Sequence, residues 1–144
     1  MKSETFGRGP VITGLYELLN PLPLGFFAAA WLFDIIYINS TQIFWTHGAS
    51  WLIAMGLVIA IIPRLLNLFL VWSGGSSACS PVKVHFWLSL VAIVLAIINA
   101  FVHSRDAWAV VPLGVTLSTL VVVLLTIANL QQALRDRSRE ENDE

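Results

Sequence analysis

Three histidines are the side chains in this sequence best suited to hold a redox cofactor: His47, His85 and His103. A neutral imidazole can ligate haem iron, and a b-type haem between membrane helices usually takes two histidines from facing helices. His85 and His103 are 18 positions apart, which is five helical turns, so they share one face. The expectation is that these are interfacial histidines bonded to backbone or water and that no cofactor is bound. Haem b is the alternative.

The cysteine and histidines of this sequence do not have the spacing of a metal site. The single cysteine, Cys79, allows neither an intramolecular disulfide nor a cysteine-based metal site. No two histidines stand in the HxxxH or HExxH arrangement that places two imidazoles on one face of a helix. We therefore predict no metal centre.

Five other polar residues form a candidate intramembrane polar site, because they lie within or just beyond long apolar stretches: Asp34, Arg64, Asn67, Asn99 and Arg105. Polar groups are costly in lipid, so an intramembrane ionisable residue is by default a hint of function. Arg64 and Asn67 could clamp an anion or a lipid headgroup, or line a polar cavity. The structural alternative is an interhelical pair, or an arginine that extends its side chain to the membrane surface.

Helical spacing groups several of these residues with small ones. Gly56 and Ala60 fall in line with Arg64 at 100° per residue. A second stripe consists of Ser89, Ala92, Ala96 and Asn99, and it is expected to face the interior, because small residues let membrane helices approach closely.

Asp34 is the one carboxylate within the apolar stretches, and it is expected to pair with Arg105 or His103. A lone carboxylate provides no acid–base pair. The sequence also has no GxSxG elbow, Walker loop or glycine-rich dinucleotide turn. We therefore predict that the protein is not an enzyme.

The elements that must position these residues are four apolar stretches, predicted as membrane-spanning helices: Leu22–Ile38, Trp51–Trp72, Val84–Val102 and Val110–Leu130. The chain of 144 residues is 57% hydrophobic and only 12% charged, which is typical of a membrane protein. The expected fold is an all-α antiparallel four-helix bundle, with connections at Asn39–Ser50, Ser73–Lys83 and His103–Ala109.

Three regions follow from this pattern. Residues 1–20 form an N-terminal arm that could include a short interfacial helix, residues 21–130 form the transmembrane domain, and residues 131–144 form a charged tail. Lysine and arginine concentrate on one side when both termini are placed in the cytoplasm, which is the arrangement that the positive-inside rule favours. The expected location is the bacterial inner membrane.

The chain resembles the bacterial membrane-protein family known as domain of unknown function 2231. The resemblance covers most of residues 20–130. It lies in Asn20-Pro21-Leu22-Pro23 with the apolar run to Asp34, in the segment Gly56–Pro63, and in His85 followed by Asn99 and Arg105. Some relatives are fused to Rieske or cytochrome-like domains, which implies membrane redox work. This chain has Asn20 at a place where members of the family often carry histidine.

The function expected from the sequence is that of a small accessory or binding protein without enzymatic activity. We expect the protein to lie in the lipid bilayer, where it could form a homo-oligomer or bind a membrane redox partner. We expect no nucleic-acid partner. Two alternatives stay open. One is a redox subunit associated with haem or quinone, and the other is a pathway for small solutes or ions formed by an oligomer.

Overall fold

A computed structural model describes the backbone of Leu19 and of residues 21–73, 80–105 and 110–143. Within these ranges it describes no side chain at 63–73, 80–84, 86, 136, 139, 140 and 143. The predicted interfacial helix of the N-terminal arm lies outside the described residues, except for Leu19. Most of the glycine- and serine-rich connection, including Cys79, also lies outside them.

The described residues contain four α-helices and no strand, which confirms the all-α prediction. These helices are α1 (Leu22–Ser40), α2 (Ile43–Ser73), α3 (Ser80–His103) and α4 (Leu113–Asp143). Pro21 and Pro23 stand at the start of α1, where a first helical turn tolerates proline because its amide hydrogens have no partner within the helix.

The connection between α1 and α2 is much shorter than predicted. The expected loop at Asn39–Ser50 is wrong, because α1 continues to Ser40 and α2 begins at Ile43. Thr41 ends α1 in the left-handed conformation, with φ of 56°, and its N–H donates to the carbonyl of Tyr37 at 2.8 Å. His47 therefore lies in a helix and not in a loop.

Two helices extend beyond the apolar stretches. Helix α2 has 31 residues and continues through Pro63 to Ser73. Helix α4 also has 31 residues and crosses the predicted domain boundary at residue 130 to reach Asp143, so the charged tail continues the fourth apolar helix without a break.

The four helices pack together in a ring. Each contacts its neighbours in the sequence, and α4 closes the ring against α1. The interior is mostly aliphatic, and its buried side chains repeat every three or four residues, as expected for helices with one face turned inward. They include Phe27, Ala30, Ala49, Ile53, Leu57, Ala60, Ala92, Ile93, Ala96, Val121 and Leu125.

Glycine allows α2 to approach α1 closely at two levels. A Cβ atom built on Gly48 would lie 2.7 Å from the Phe33 ring, and one on Gly56 would lie 3.1 Å from atoms of Phe26 and Phe27. Close helix contact through small residues is characteristic of packing in membranes, where lipid tails are as apolar as the side chains they replace.

The length and composition of three helical segments suit them to cross a bilayer. Within the described residues these segments are Leu22–Ser40, Ile43–Ile62 and Leu113–Arg135, and α3 contributes the shorter apolar stretch Trp87–His103. Large apolar side chains on all four helices point away from the interior, as Trp51, Val58, Phe101 and Val123 do. A bilayer provides the apolar surroundings that such an exterior requires.

Candidate functional site

A buried carboxylate lies at the centre of the candidate site. Asp34 belongs to the inward face of α1, the face that also buries Phe27 and Ala30, and its relative exposure is 0%. It stands six residues before the end of α1, about 9 Å from that end at the helical rise. A carboxylate taken this far from water needs hydrogen-bond donors around it, since burial without partners is costly.

His103 supplies the first partner. It is the last residue of α3, and its Nε2 lies 2.8 Å from Asp34 Oδ1. Both side chains are fully buried. The contact joins α1 to α3 across the interior, between two helices that are not neighbours in the ring of packed helices.

Helix α4 supplies the second partner. The hydroxyl of Ser118 donates to Asp34 Oδ2 at 2.5 Å. Asn99, one turn before His103 on α3, donates its Nδ2–H to the Ser118 oxygen at 2.8 Å. These four residues, Asp34, Asn99, His103 and Ser118, are called here the polar cluster, and their bonds connect α1, α3 and α4.

The last contact of the polar cluster indicates that Nδ1 of the imidazole carries a hydrogen. His103 Nδ1 lies 3.0 Å from the backbone carbonyl oxygen of Asn99. A carbonyl can only accept, so we assign the hydrogen of this bond to Nδ1. Both ring nitrogens of His103 and both carboxylate oxygens of Asp34 therefore have partners, whereas Asn99 Oδ1 is buried without one.

Glycine makes room for the imidazole. A Cβ atom on Gly114, in the first turn of α4, would lie 3.0 Å from His103 Cε1 and 3.1 Å from Val110 Cγ1. About one turn deeper than Asp34, the indole N–H of Trp31 donates to Thr119 Oγ1 at 2.9 Å, which adds a second hydrogen bond between α1 and α4. The close fit of Gly114 against His103 and the hydrogen bond between Trp31 and Thr119 thus both lie next to the polar cluster.

The structure brings together only some of the residues that the sequence suggested. Asp34 and Asn99 lie in the polar cluster with His103, one of the candidate haem ligands. Arg105 is exposed, so the partner of Asp34 is the histidine and not the arginine. Arg64 and Asn67 belong to α2, but their side chains are not among those that the structure describes.

The three histidines do not form one site. His85 and His103 are separated along α3 by about 27 Å at the helical rise, so one haem cannot bridge them. His47 is exposed on α2, whereas His103 is buried with both nitrogens engaged. His103 would have to give up a hydrogen bond before it could ligate iron. In the described part of the chain, no group of three or more metal-binding side chains occurs.

The interior-facing stripe on α3 is confirmed, since Ser89, Ala92, Ala96 and Asn99 are all buried. Ser118 is the member of the polar cluster that sequence reasoning missed. The signal that could have found it is its register: Gly114, Leu117, Val121 and Leu125 lie on the same face, so Ser118 points to the interior, where a hydroxyl requires a partner.

Residues 15–130 match the family described as predicted membrane protein DUF2231. The chain belongs to this family. Within the described residues, three helical segments have the length and composition of membrane spans, in agreement with that description. No curated protein and no solved structure matches the chain.

Proposed function

We propose that this DUF2231 protein is an accessory or binding protein of the bacterial cytoplasmic membrane, without an enzymatic activity of its own. In this proposal its four helices all span the bilayer as an antiparallel bundle, and both termini lie in the cytoplasm.

The distribution of positive charge supports this orientation. Lysine and arginine near membrane spans favour the cytoplasmic side. With both termini inside, that side holds Lys2, Arg8, Lys83, Arg135, Arg137 and Arg139. The opposite side holds only Arg105, which follows the end of α3.

The single observation that carries the non-catalytic proposal is the mutual bonding of the polar cluster. A catalytic base or nucleophile needs a free atom that can reach a substrate. Here the carboxylate of Asp34 and the imidazole of His103 are buried and bonded to neighbours from α3 and α4. Such an arrangement fixes helices relative to one another. A redox role with haem takes second place, because it would require His103 to release a partner.

Reporter fusions test the orientation. Green fluorescent protein fused after Glu144 should fluoresce, and alkaline phosphatase at the same position should be inactive, because the tail is proposed to lie in the cytoplasm. The same two reporters after Ser104, between α3 and α4, provide the opposite control. An active phosphatase on the tail would contradict the orientation.

Photo-crosslinking in living cells tests the binding role. A photoreactive amino acid would replace Trp51 or Phe101, which are 73% and 68% exposed, and Ile53, which is fully buried, would be the matched control. An accessory protein should give one discrete protein adduct from an exposed position and none from Ile53. If all exposed positions capture only lipid, the binding role is wrong.

A further inference from the structure

We propose that Asp34 and His103 together form a binding site for one proton, and that this shared proton holds α1 to α3 in the membrane interior. The proposal goes beyond the accessory role, which requires only that the helices be fixed. It rests on the directions of the hydrogen bonds in the polar cluster, and it assigns to the protein a ligand that the family description does not name.

The hydrogen on Nδ1 of His103 is fixed by its contact with the backbone of α3. The backbone carbonyl of Asn99 accepts from His103 Nδ1 at 3.0 Å, so that nitrogen carries a hydrogen in this geometry. What is left to determine is whether a proton lies between the other nitrogen, Nε2, and its partner Asp34. Asn99 and His103 are on the same helix, four residues apart, so no atom of α1 takes part in this bond.

The other contact of the imidazole joins Nε2 to Asp34 Oδ1. At 2.8 Å this is a hydrogen-bond distance, yet a bare imidazole nitrogen and a carboxylate oxygen both only accept. One proton must therefore lie between them. It gives either an imidazolium beside a carboxylate or a neutral imidazole beside a carboxylic acid, and the pair has the same net charge, zero, in both forms.

Any other proton count is unfavourable. Without the proton, two lone pairs face each other and the interior holds a negative charge. With a second proton, two donors face each other and the interior holds a positive charge. A buried charge without a counter-charge is costly, and lipid increases the cost. The bond from Ser118 to Oδ2 orients the carboxylate but brings no net charge.

The titratable residues at this end of the helices are Tyr37, His47, Arg105 and Asp106, of which Asp106 lies outside the described residues. Tyr37 follows one turn later on α1, His47 is exposed on α2, and Arg105 is exposed beyond the end of α3. Helix α4 has no titratable residue between Leu113 and Leu130. The other described polar contacts of the pair come from neutral groups, the Ser118 hydroxyl and the backbone carbonyl of Asn99.

The numbers of protons bound by the folded and the unfolded protein predict how the unfolding equilibrium constant changes with pH. In an unfolded chain, aspartate titrates near about pH 3.9 and histidine near about 6.5. Between these values the folded pair and the two unfolded side chains hold the same number of protons. Above the higher value the folded protein holds one proton more, so its unfolding equilibrium constant should rise about tenfold per pH unit.

Asp34→Asn is the matched control. An asparagine amide can donate to Nε2 and its oxygen can accept from Ser118, so both contacts with Asp34 have a counterpart without a shared proton. The folded variant then holds one proton fewer than the folded wild type. All other titratable groups are common to the two proteins, and their contributions cancel in the ratio of the two unfolding constants.

The experiment is equilibrium unfolding of both proteins in mixed micelles from pH 6 to 9, followed by tryptophan fluorescence. The ratio of the wild-type unfolding constant to that of Asp34→Asn should rise about tenfold per pH unit, up to the pH at which the pair releases its proton. A ratio that does not change with pH would overturn the proposal.

A second readout does not depend on the variant folding. In wild-type protein with ¹⁵N-labelled histidine, the Nδ1 of His103 should carry a hydrogen at every pH at which the protein is folded. At pH 7.5, Nε2 should show the shift of a nitrogen that shares a proton. A spectrum in which Nδ1 is bare, or Nε2 is an isolated acceptor, would also overturn the proposal.

Discussion

Deleting the carboxylate of Asp34 should destabilise the protein more than any other single change in the polar cluster. Asp34→Ala removes the acceptor of the Ser118 hydroxyl and the partner of His103 Nε2, both of them buried. An interhelical hydrogen bond in a membrane protein contributes about 0.6 kcal/mol on average and up to about 1.7 kcal/mol. A buried polar group left without a partner costs about 1–3 kcal/mol.

Two lost bonds at about 0.6 kcal/mol each and two orphaned partners at about 1 kcal/mol each give an expected loss of about 3 kcal/mol in the free energy of unfolding. The loss lies at the lower end of the summed range because the unfolded state in a membrane also finds partners. Asp34→Asn keeps both contacts and should lose less than about 1 kcal/mol. Ser118→Ala breaks two bonds while the pair with His103 survives, so its loss should lie between the two.

Unfolding in mixed micelles at pH 6.5 measures all three variants against wild type. The predicted order of stability is wild type, Asp34→Asn, Ser118→Ala and then Asp34→Ala. If Asp34→Ala unfolds within about 0.5 kcal/mol of wild type, the hydrogen bonds of the polar cluster do not stabilise the fold as argued, since that value is below the average for one interhelical bond.

Two further predictions concern the surroundings of the polar cluster. Gly114→Ala should cost about 1–2 kcal/mol, because its Cβ would press on the His103 ring from 3.0 Å, whereas Gly25→Ala, with nothing within 4 Å, should be neutral or slightly stabilising; equal melting temperatures would refute the close fit. Thr119→Ala should lose about 0.5–1 kcal/mol and shift the fluorescence of Trp31, whose indole N–H loses its acceptor; an unchanged spectrum would contradict that contact.

Much of the fold could be predicted from apolar length alone, since four long apolar stretches correspond to the four helices. The error near His47 has a physical cause. Thr46, His47 and Gly48 resemble a loop by composition, yet Ala49 and Ile53 continue the buried face, and Gly48 is required there by the ring of Phe33. Tertiary packing thus overrides local composition at the start of α2.

The site was predictable in its residue types but not in its pairing. Asp34 was expected to need a partner, and both His103 and Arg105 were near the same end of the chain's third span. The choice depends on where α3 ends, because His103 is its last residue and Arg105 lies beyond it. Ser118 is 84 residues from Asp34, so its register can place it on the inward face of α4 but cannot show which partner it meets.

The most direct test of the polar cluster is magic-angle-spinning NMR on the protein in lipid bilayers, with labelled aspartate, histidine and arginine. A through-space correlation between the Asp34 carboxyl carbon and His103 Nε2 is predicted, because Nε2 lies 2.8 Å from an oxygen of that carboxylate. A correlation from Asp34 to the guanidinium of Arg105, with none to His103, would contradict the account.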